Sequence, residues 1–107
     1  MISSKKGKSF SQRVYDAVRR IPPGRVSTYK EVASAIHSSA FRAVGNSLHR
    51  NPTPRIVPCH RVVNSDGSVG GFSLGKRKKI LLLNNEGIRV EKGKIVNFEK
   101  VFIKIKK

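Results

Sequence analysis

Apolar side chains return at Phe10, Val14, Ala17, Val18 and Ile21, a spacing of three and four that lines one face of an α-helix. The pattern stops at Pro22-Pro23-Gly24, which cannot continue a helix, so the helix is predicted to end near Ile21. Thr28, with Glu31 three residues later, has the form of a capping box, in which both side chains satisfy free N–H groups of a first helical turn. A second helix is predicted from Tyr29 to about His37, burying Val32, Ala33 and Ile36. Ser38-Ser39 makes a short turn, and a third helix follows from about Ala40 to Arg50, burying Val44 and Leu48. Asn51-Pro52 closes it, because the residue before a proline is pushed out of the helical region.

Beyond residue 60 the periods shorten. Arg61-Val62-Val63 reads as a strand, Asn64-Ser65-Asp66-Gly67 as a turn and Val69 to Ser73 as a Gly-rich loop. A fourth helix is predicted from Lys76 to Asn85, basic at its start and apolar at Ile80, Leu81 and Leu83, with Gly87 as its C-cap. Lysines at a helix N-terminus oppose its dipole, a conflict that solvent or an anionic partner would relieve. Ile88 to Val96, interrupted by Lys92-Gly93, predicts a hairpin or wing. Val101, Ile103 and Ile105 alternate with other residues, which predicts a final edge strand guarded by lysines. The expected fold is mainly α, a winged helix-turn-helix with short β-strands and a hairpin. An αα-hairpin with no role on DNA would show the same helical periods.

Charge shifts that balance. The 107 residues carry 23 Lys and Arg against 6 Asp and Glu, hence 23 − 6 = +17. A single small domain so basic is attracted to polyanions, with nucleic acid the first candidate and an anionic membrane surface the second. No apolar run approaches the roughly 18 residues of a membrane-crossing helix, and Met1 to Phe10 lacks the apolar stretch of a secretion signal. One cysteine cannot form an internal disulfide, which points to a reducing, intracellular compartment. That cysteine with scattered His37, His49 and His60 has no metal-ligand spacing, so neither a zinc site nor another cofactor is expected.

The lone cysteine stands in Ile56-Val57-Pro58-Cys59-His60-Arg61-Val62-Val63. Free cysteine is more often a small buried hydrophobe than a reagent. Here an imidazole adjoins it and a guanidinium follows, the groups that favour a thiolate nucleophile.

The Pro58-Cys59-His60-Arg61-Val62 block, with Arg42-Ala43-Val44-Gly45, Asn51-Pro52, Val26-Ser27-Thr28-Tyr29 and Asn85-Glu86-Gly87 in order around it, resembles the C-terminal, active-site domain of the O6-alkylguanine-DNA alkyltransferases. The resemblance runs from about Phe10 to Gly87. It implies irreversible transfer of an alkyl group from guanine O6 in double-stranded DNA to Cys59, once per molecule, by a monomer with no cofactor. Under it, residues 1–9 are a flexible basic arm, 10–87 the alkyltransferase domain, and 88–107 a hairpin, edge strand and basic tail. His60 would take the thiol proton through a water, oriented by Glu86, which could otherwise be a solvated helix-end residue. Asn51 would tether the Cys59 segment. Tyr29 and Ser73 would assist departure of the base, and carbonyls of Cys59 and Val62 would accept from its amino group. Arg42 would fill the gap left by the flipped nucleotide, with Ala43, Gly45 and Ser47 small enough for close approach to DNA. Phe41, where the family often has a small residue, could wedge against DNA or pack on the protein. Phe72 stands where a tyrosine is common. The alkyltransferase-like lesion sensors usually replace the cysteine with tryptophan; Cys59 and the lack of any Trp speak against that reading. A plain winged-helix DNA-binding protein explains the charge but not the Pro-Cys-His-Arg block.

Overall fold

The computed structural model describes residues 8–53, 56–72 and 74–106. Helix α1, Phe10–Val18, starts from a reciprocal capping box: Ser9 Oγ accepts from the Gln12 N–H and Gln12 Oε1 accepts from the Ser9 N–H. It ends before Ile21, in tighter turns in which Arg20 and Ile21 donate three residues back. Ile21 nevertheless stays buried, so the apolar stripe was longer than the helix.

Strand β1, Ser27–Thr28, leads directly into helix α2, Tyr29–Ala35. Only half of the box predicted at Thr28 forms. Thr28 Oγ1 accepts from the Glu31 N–H at 3.0 Å, but the Glu31 carboxylate turns away to accept from the Ile105 N–H at 3.3 Å. The helix stops two residues short of the expected His37, which adopts φ 60° in the turn. Helix α3, Phe41–His49, then packs across α1 and α2. Val44 and Leu48 face the core as predicted.

Cys59–Arg61 form one 3-10 turn, followed by strand β2, Val62–Val63. β2 pairs in parallel with β1, Ser27 opposite Val62 and Thr28 opposite Val63. Successive strand residues face opposite ways, and here that alternation splits the interior in two. Val62 joins the cluster of α1, α2 and α3 that includes Cys59, while Val63 joins Val26, Val69, Leu83, Ile88 and Ile95.

Helix α4, Lys76–Asn85, buries Lys79 and Leu83, four residues apart, and leaves Leu81 exposed. Its C-terminus is a Schellman motif: Gly87 at φ 85° donates to the Asn84 carbonyl and Ile88 to that of Leu83. Strands β3, Val90–Glu91, and β4, Lys94–Ile95, form the antiparallel hairpin. Lys92 and Gly93, at φ 52° and 78°, supply the two positive angles its turn requires.

The predicted last strand is corrected. Phe98–Val101 is a short helix, α5, and only Phe102 makes a single parallel bridge, to Val26. Phe98 and Phe102, one helical turn apart, bring their ring centroids within 5.5 Å at a tilt of 47°, a contact that the i, i+4 spacing of a helix favours. The molecule is thus mainly helical with two small sheets. No helix among the described residues is long and apolar enough to cross a membrane.

Candidate active site

Cys59 is held by the elements on either side of it. Its N–H donates to the Val57 carbonyl at 2.7 Å, and the Arg61 N–H returns to the Pro58 carbonyl. Asn51, just beyond α3, donates through Nδ2 to the Val57 carbonyl at 3.0 Å and to Cys59 Sγ at 3.3 Å. Its Oδ1 accepts from the Thr53 N–H. One buried amide therefore ties the end of α3 to the thiol.

The thiol lines a cavity of about 330 Å³ together with Tyr29, Gly45, Asn46, His49, Asn64 and the loop Gly70-Gly71-Phe72. Burial pushes the Cys59 pKa up, against the Asn51 hydrogen bond and the charge of Lys79, which act downward. The resting group is a thiol, which fits a reaction in which a base must first take its proton.

His60, on the same 3-10 turn, meets Glu86 at the end of α4, with Nε2 2.8 Å from Oε2. Desolvation alone would raise the Glu86 pKa, but Arg61, His60 and the Gly24 N–H hold it down at about 2. Arg61 grips the carboxylate through Nε and Nη2 and anchors Nη1 on the Ile21 carbonyl at 2.9 Å. A carboxylate only accepts, so Nε2 carries the hydrogen. Burial lowers the His60 pKa despite the pull of Glu86, leaving the ring neutral at pH 7 with a lone pair on Nδ1. Among the described residues, Nδ1 is the buried side-chain polar atom without a hydrogen-bond partner.

Tyr29 opens α2 with its ring on the cavity wall, against Gly45 and Gly70. A side chain at position 70 would meet the Tyr29 hydroxyl at 3.3 Å, and its φ is 72°, so glycine is needed there twice over. Burial, then the nearby Cys59, push the Tyr29 pKa up to about 12, which keeps the phenol a hydrogen-bond donor.

The sequence reading missed Lys79. It is wholly buried, and Nζ donates to the carbonyls of Val62 at 2.7 Å and Gly71 at 3.0 Å and to the Tyr29 hydroxyl at 3.4 Å. Burial brings its pKa down to about 7. The Val62 carbonyl that the resemblance assigned to a guanine amino group therefore already accepts one hydrogen bond, and one lone pair remains. Arg61 was missed too, as the clamp on Glu86.

Arg42, Asn46 and His49 form one exposed stripe of α3, and Ala43 and Gly45 are half-buried beside it. Ser47 does not belong with them. It is buried, its hydroxyl paired with Ser11 Oγ at 2.8 Å and its carbonyl accepting from the Tyr15 hydroxyl. Its small size serves the packing of α1 on α3 rather than an outer surface. Phe41 is half exposed and lines a second pocket with Tyr29, Lys30, Asn64 and Ser65. Phe72 is buried and adds an apolar wall to the cavity. Ser73 lies outside the described residues. No group of three or more potential metal ligands occurs among the described residues.

Residues 9–88 match the family model described as the DNA-binding domain of 6-O-methylguanine DNA methyltransferase. The chain belongs to this family. It is a family of DNA-repair methyltransferases that bind DNA, and the matched span agrees with the stretch from Phe10 to Gly87 whose motifs suggested it. The methylated-DNA–protein-cysteine methyltransferase of Sulfolobus acidocaldarius is 47% identical over 83 residues, 78% of this chain and 52% of that protein. The chain spans about half the length of the curated relatives it matches. Among solved structures, S. pombe Atl1 in complex with damaged DNA containing O6-carboxymethylguanine superposes with a TM-score of 0.79 at 33% identity, covering 89% of this chain and 94% of that one. Mycobacterium tuberculosis OGT in complex with DNA gives 0.72 at 40% identity, over 76% of this chain and 50% of that one.

Proposed function

We propose that the chain repairs alkylated DNA by moving an alkyl group from guanine O6 to Cys59, irreversibly. The observation that carries this reading is the single thiol on the wall of a cavity of about 330 Å³, held by Asn51 next to a neutral imidazole backed by an ionised carboxylate.

The duplex must give up the modified nucleotide to the cavity. The α2–α3 pair acts as a helix-turn-helix, with its Arg42, Asn46 and His49 stripe on DNA and Arg42 filling the vacated stack. The β3–β4 hairpin acts as the wing. The thiol then loses its proton to His60 Nδ1, through a water because adjacent side chains do not meet directly. Sγ attacks the alkyl carbon, the S–C bond forms as the C–O6 bond breaks, and the electron pair stays on the guanine. Tyr29, still protonated, donates to the departing base, which spreads the developing charge. No residue of the chain reverses the thioether, so each molecule acts once.

Intact-protein mass spectrometry after incubation with a duplex containing O6-methylguanine tests the reading. A gain of one methyl group on the Cys59 peptide is expected, absent with unmodified duplex and absent in Cys59→Ala. An unchanged mass overturns it. The match to Atl1, at nearly full length of both chains, favours a second reading, lesion recognition without transfer. Lesion-selective binding with unchanged mass is the result that would establish it.

A further inference from the structure

The segment after α5 lies along the stretch that links α1 to α2. The Val26 N–H donates to the Val101 carbonyl and the Ile103 N–H to that of Val26, each at 2.9 Å. Ser27 Oγ donates to the Ile103 carbonyl, and the Ile105 N–H to Glu31. Alternate side chains then divide by chemistry. Ile103 and Ile105 join the core of α1, α2 and α3, while Lys104 and Lys106 are exposed. Two arginines of the linking stretch reach the same strip. Arg20 donates through Nη1 to the Lys106 carbonyl at 2.7 Å, and Arg25 through Nη1 to that of Lys100 at 2.8 Å. Five exposed cations, Arg20, Arg25, Lys100, Lys104 and Lys106, are thus gathered from segments 75 and 86 residues apart. None of the described ion pairs includes any of them. Glu99 is exposed beside Lys100 in the chain, and Glu31 is engaged by the Ile105 N–H. Lysines that only guard a strand edge do not call for two arginines beside them, and like charges so placed repel unless an anion joins them.

We propose that this strip binds the phosphate backbone of a second DNA duplex, apart from the one that α3 faces, so that one molecule holds two duplexes. None of the five cations lines the Cys59 cavity or lies on α3. α1 packs on the buried side of α3, where Ser47 meets Ser11 and Tyr15. Arg20, just past α1, therefore stands behind the stripe of Arg42, Asn46 and His49. Chemistry selects the occupant. The exposed large apolar side chains among the described residues are Phe41, Ile56, Leu74 and Leu81, all outside the strip, so it lacks the apolar anchor of a protein interface or of a membrane-inserted face. It offers instead two guanidiniums fixed by Nη1, whose Nε and Nη2 make no described bond and suit paired phosphate oxygens. Its lysines add charge for a polyanion of repeating charge. The proposal does not depend on Cys59 as the nucleophile.

Capture of a second duplex tests it. An unmodified duplex is fixed to beads, and a free fluorescent duplex is added with the full chain at about 50 mM salt, where phosphate contacts are strong. The chain is expected to carry the free duplex to the beads. Lys100→Gln, Lys104→Gln and Lys106→Gln combined are expected to reduce that capture about tenfold or more, as three lost phosphate contacts imply. Binding of a single short duplex, read by anisotropy, and methyl transfer to Cys59 are expected to be kept. The three side chains are exposed and make no described side-chain bond, so the fold does not rest on them. No capture by the parent, or equal capture by the variant, overturns the proposal and leaves the lysines as guards of an edge. Loss of single-duplex binding together with capture also overturns it, because the strip then shares the duplex that α3 holds. A parent that captures no second duplex but sediments with phosphatidylserine vesicles overturns it in favour of an anionic membrane. A chain that captures the second duplex through these lysines but takes no methyl group keeps this proposal and sinks the repair reading instead.

Discussion

Glu86 shows how much one side chain can organise. Its carboxylate receives His60, Arg61 and the Gly24 N–H, fixing the imidazole and the Pro22-Pro23-Gly24 turn at once. Its pKa is about 2 in the folded chain against an ordinary 4.5. The unfolded chain therefore binds more protons between those values, and stability falls as pH drops through that window. Glu86→Gln is expected to melt lower at pH 7 and to lose less on acidification, as thermal melts from pH 2.5 to 7 would show. Asn51→Ala would leave the Val57 carbonyl buried without its donor and free the thiol. A loss of about 1–3 kcal/mol in denaturant melts is expected, with slower transfer to Cys59. At this scale Cys59, His60 and Asn51 stood out as candidates by residue type, and the structure brings Asn51 onto the thiol and Glu86 onto the imidazole. Lys79 did not, since Lys76, Arg77, Lys78 and Lys79 look alike in a row and only packing distinguishes the buried one.

Elements with a sustained period and a chemical stop were legible: α1 and α3 lie where the apolar spacing put them, with shifted ends, and α4 has the expected bounds. Gly87 as a C-cap is a case in which one residue type carried the prediction. Open space surrounds the place its Cβ would occupy, so Gly87→Ala meets no clash and its cost is that of φ 85° alone. A destabilisation of about 1 kcal/mol is expected in chemical denaturation, with transfer activity kept. Two features escaped the sequence reading. β1 at Ser27–Thr28, with its parallel pairing to the strand that Arg61-Val62-Val63 did predict, joins segments more than thirty residues apart, too short to show a pattern and too far apart for local signals. α5 was hidden by the alternation of Val101, Ile103 and Ile105, although Phe98 and Phe102 carried the helical spacing.

For the whole molecule, the net charge of +17 and the exposed basic groups on α3 and at the start of α4 set the expected behaviour on DNA. Binding to unmodified duplex is expected to weaken by orders of magnitude between about 50 and 200 mM salt, because neutralised phosphates release counterions. A fluorescence-anisotropy titration at several salt concentrations checks this; a flat response would count against phosphate contact. Arg42→Ala is expected to lower the affinity for duplex and slow transfer, while leaving the reaction of the thiol with iodoacetamide unchanged.

The sequence by itself determined the helical framework, the basic surface and a single cysteine with an imidazole beside it. Each of these follows from residue types at short spacings, where apolar period, charge and side-chain chemistry act locally. Only the tertiary structure decided that Arg61 would clamp Glu86, that Ser47 would face α1, and that Lys79 would be drawn under Tyr29. Those outcomes depend on which surfaces meet once β1 and β2 bring α2 and the Cys59 turn side by side, and a buried cation is stable only where carbonyls from distant segments happen to converge.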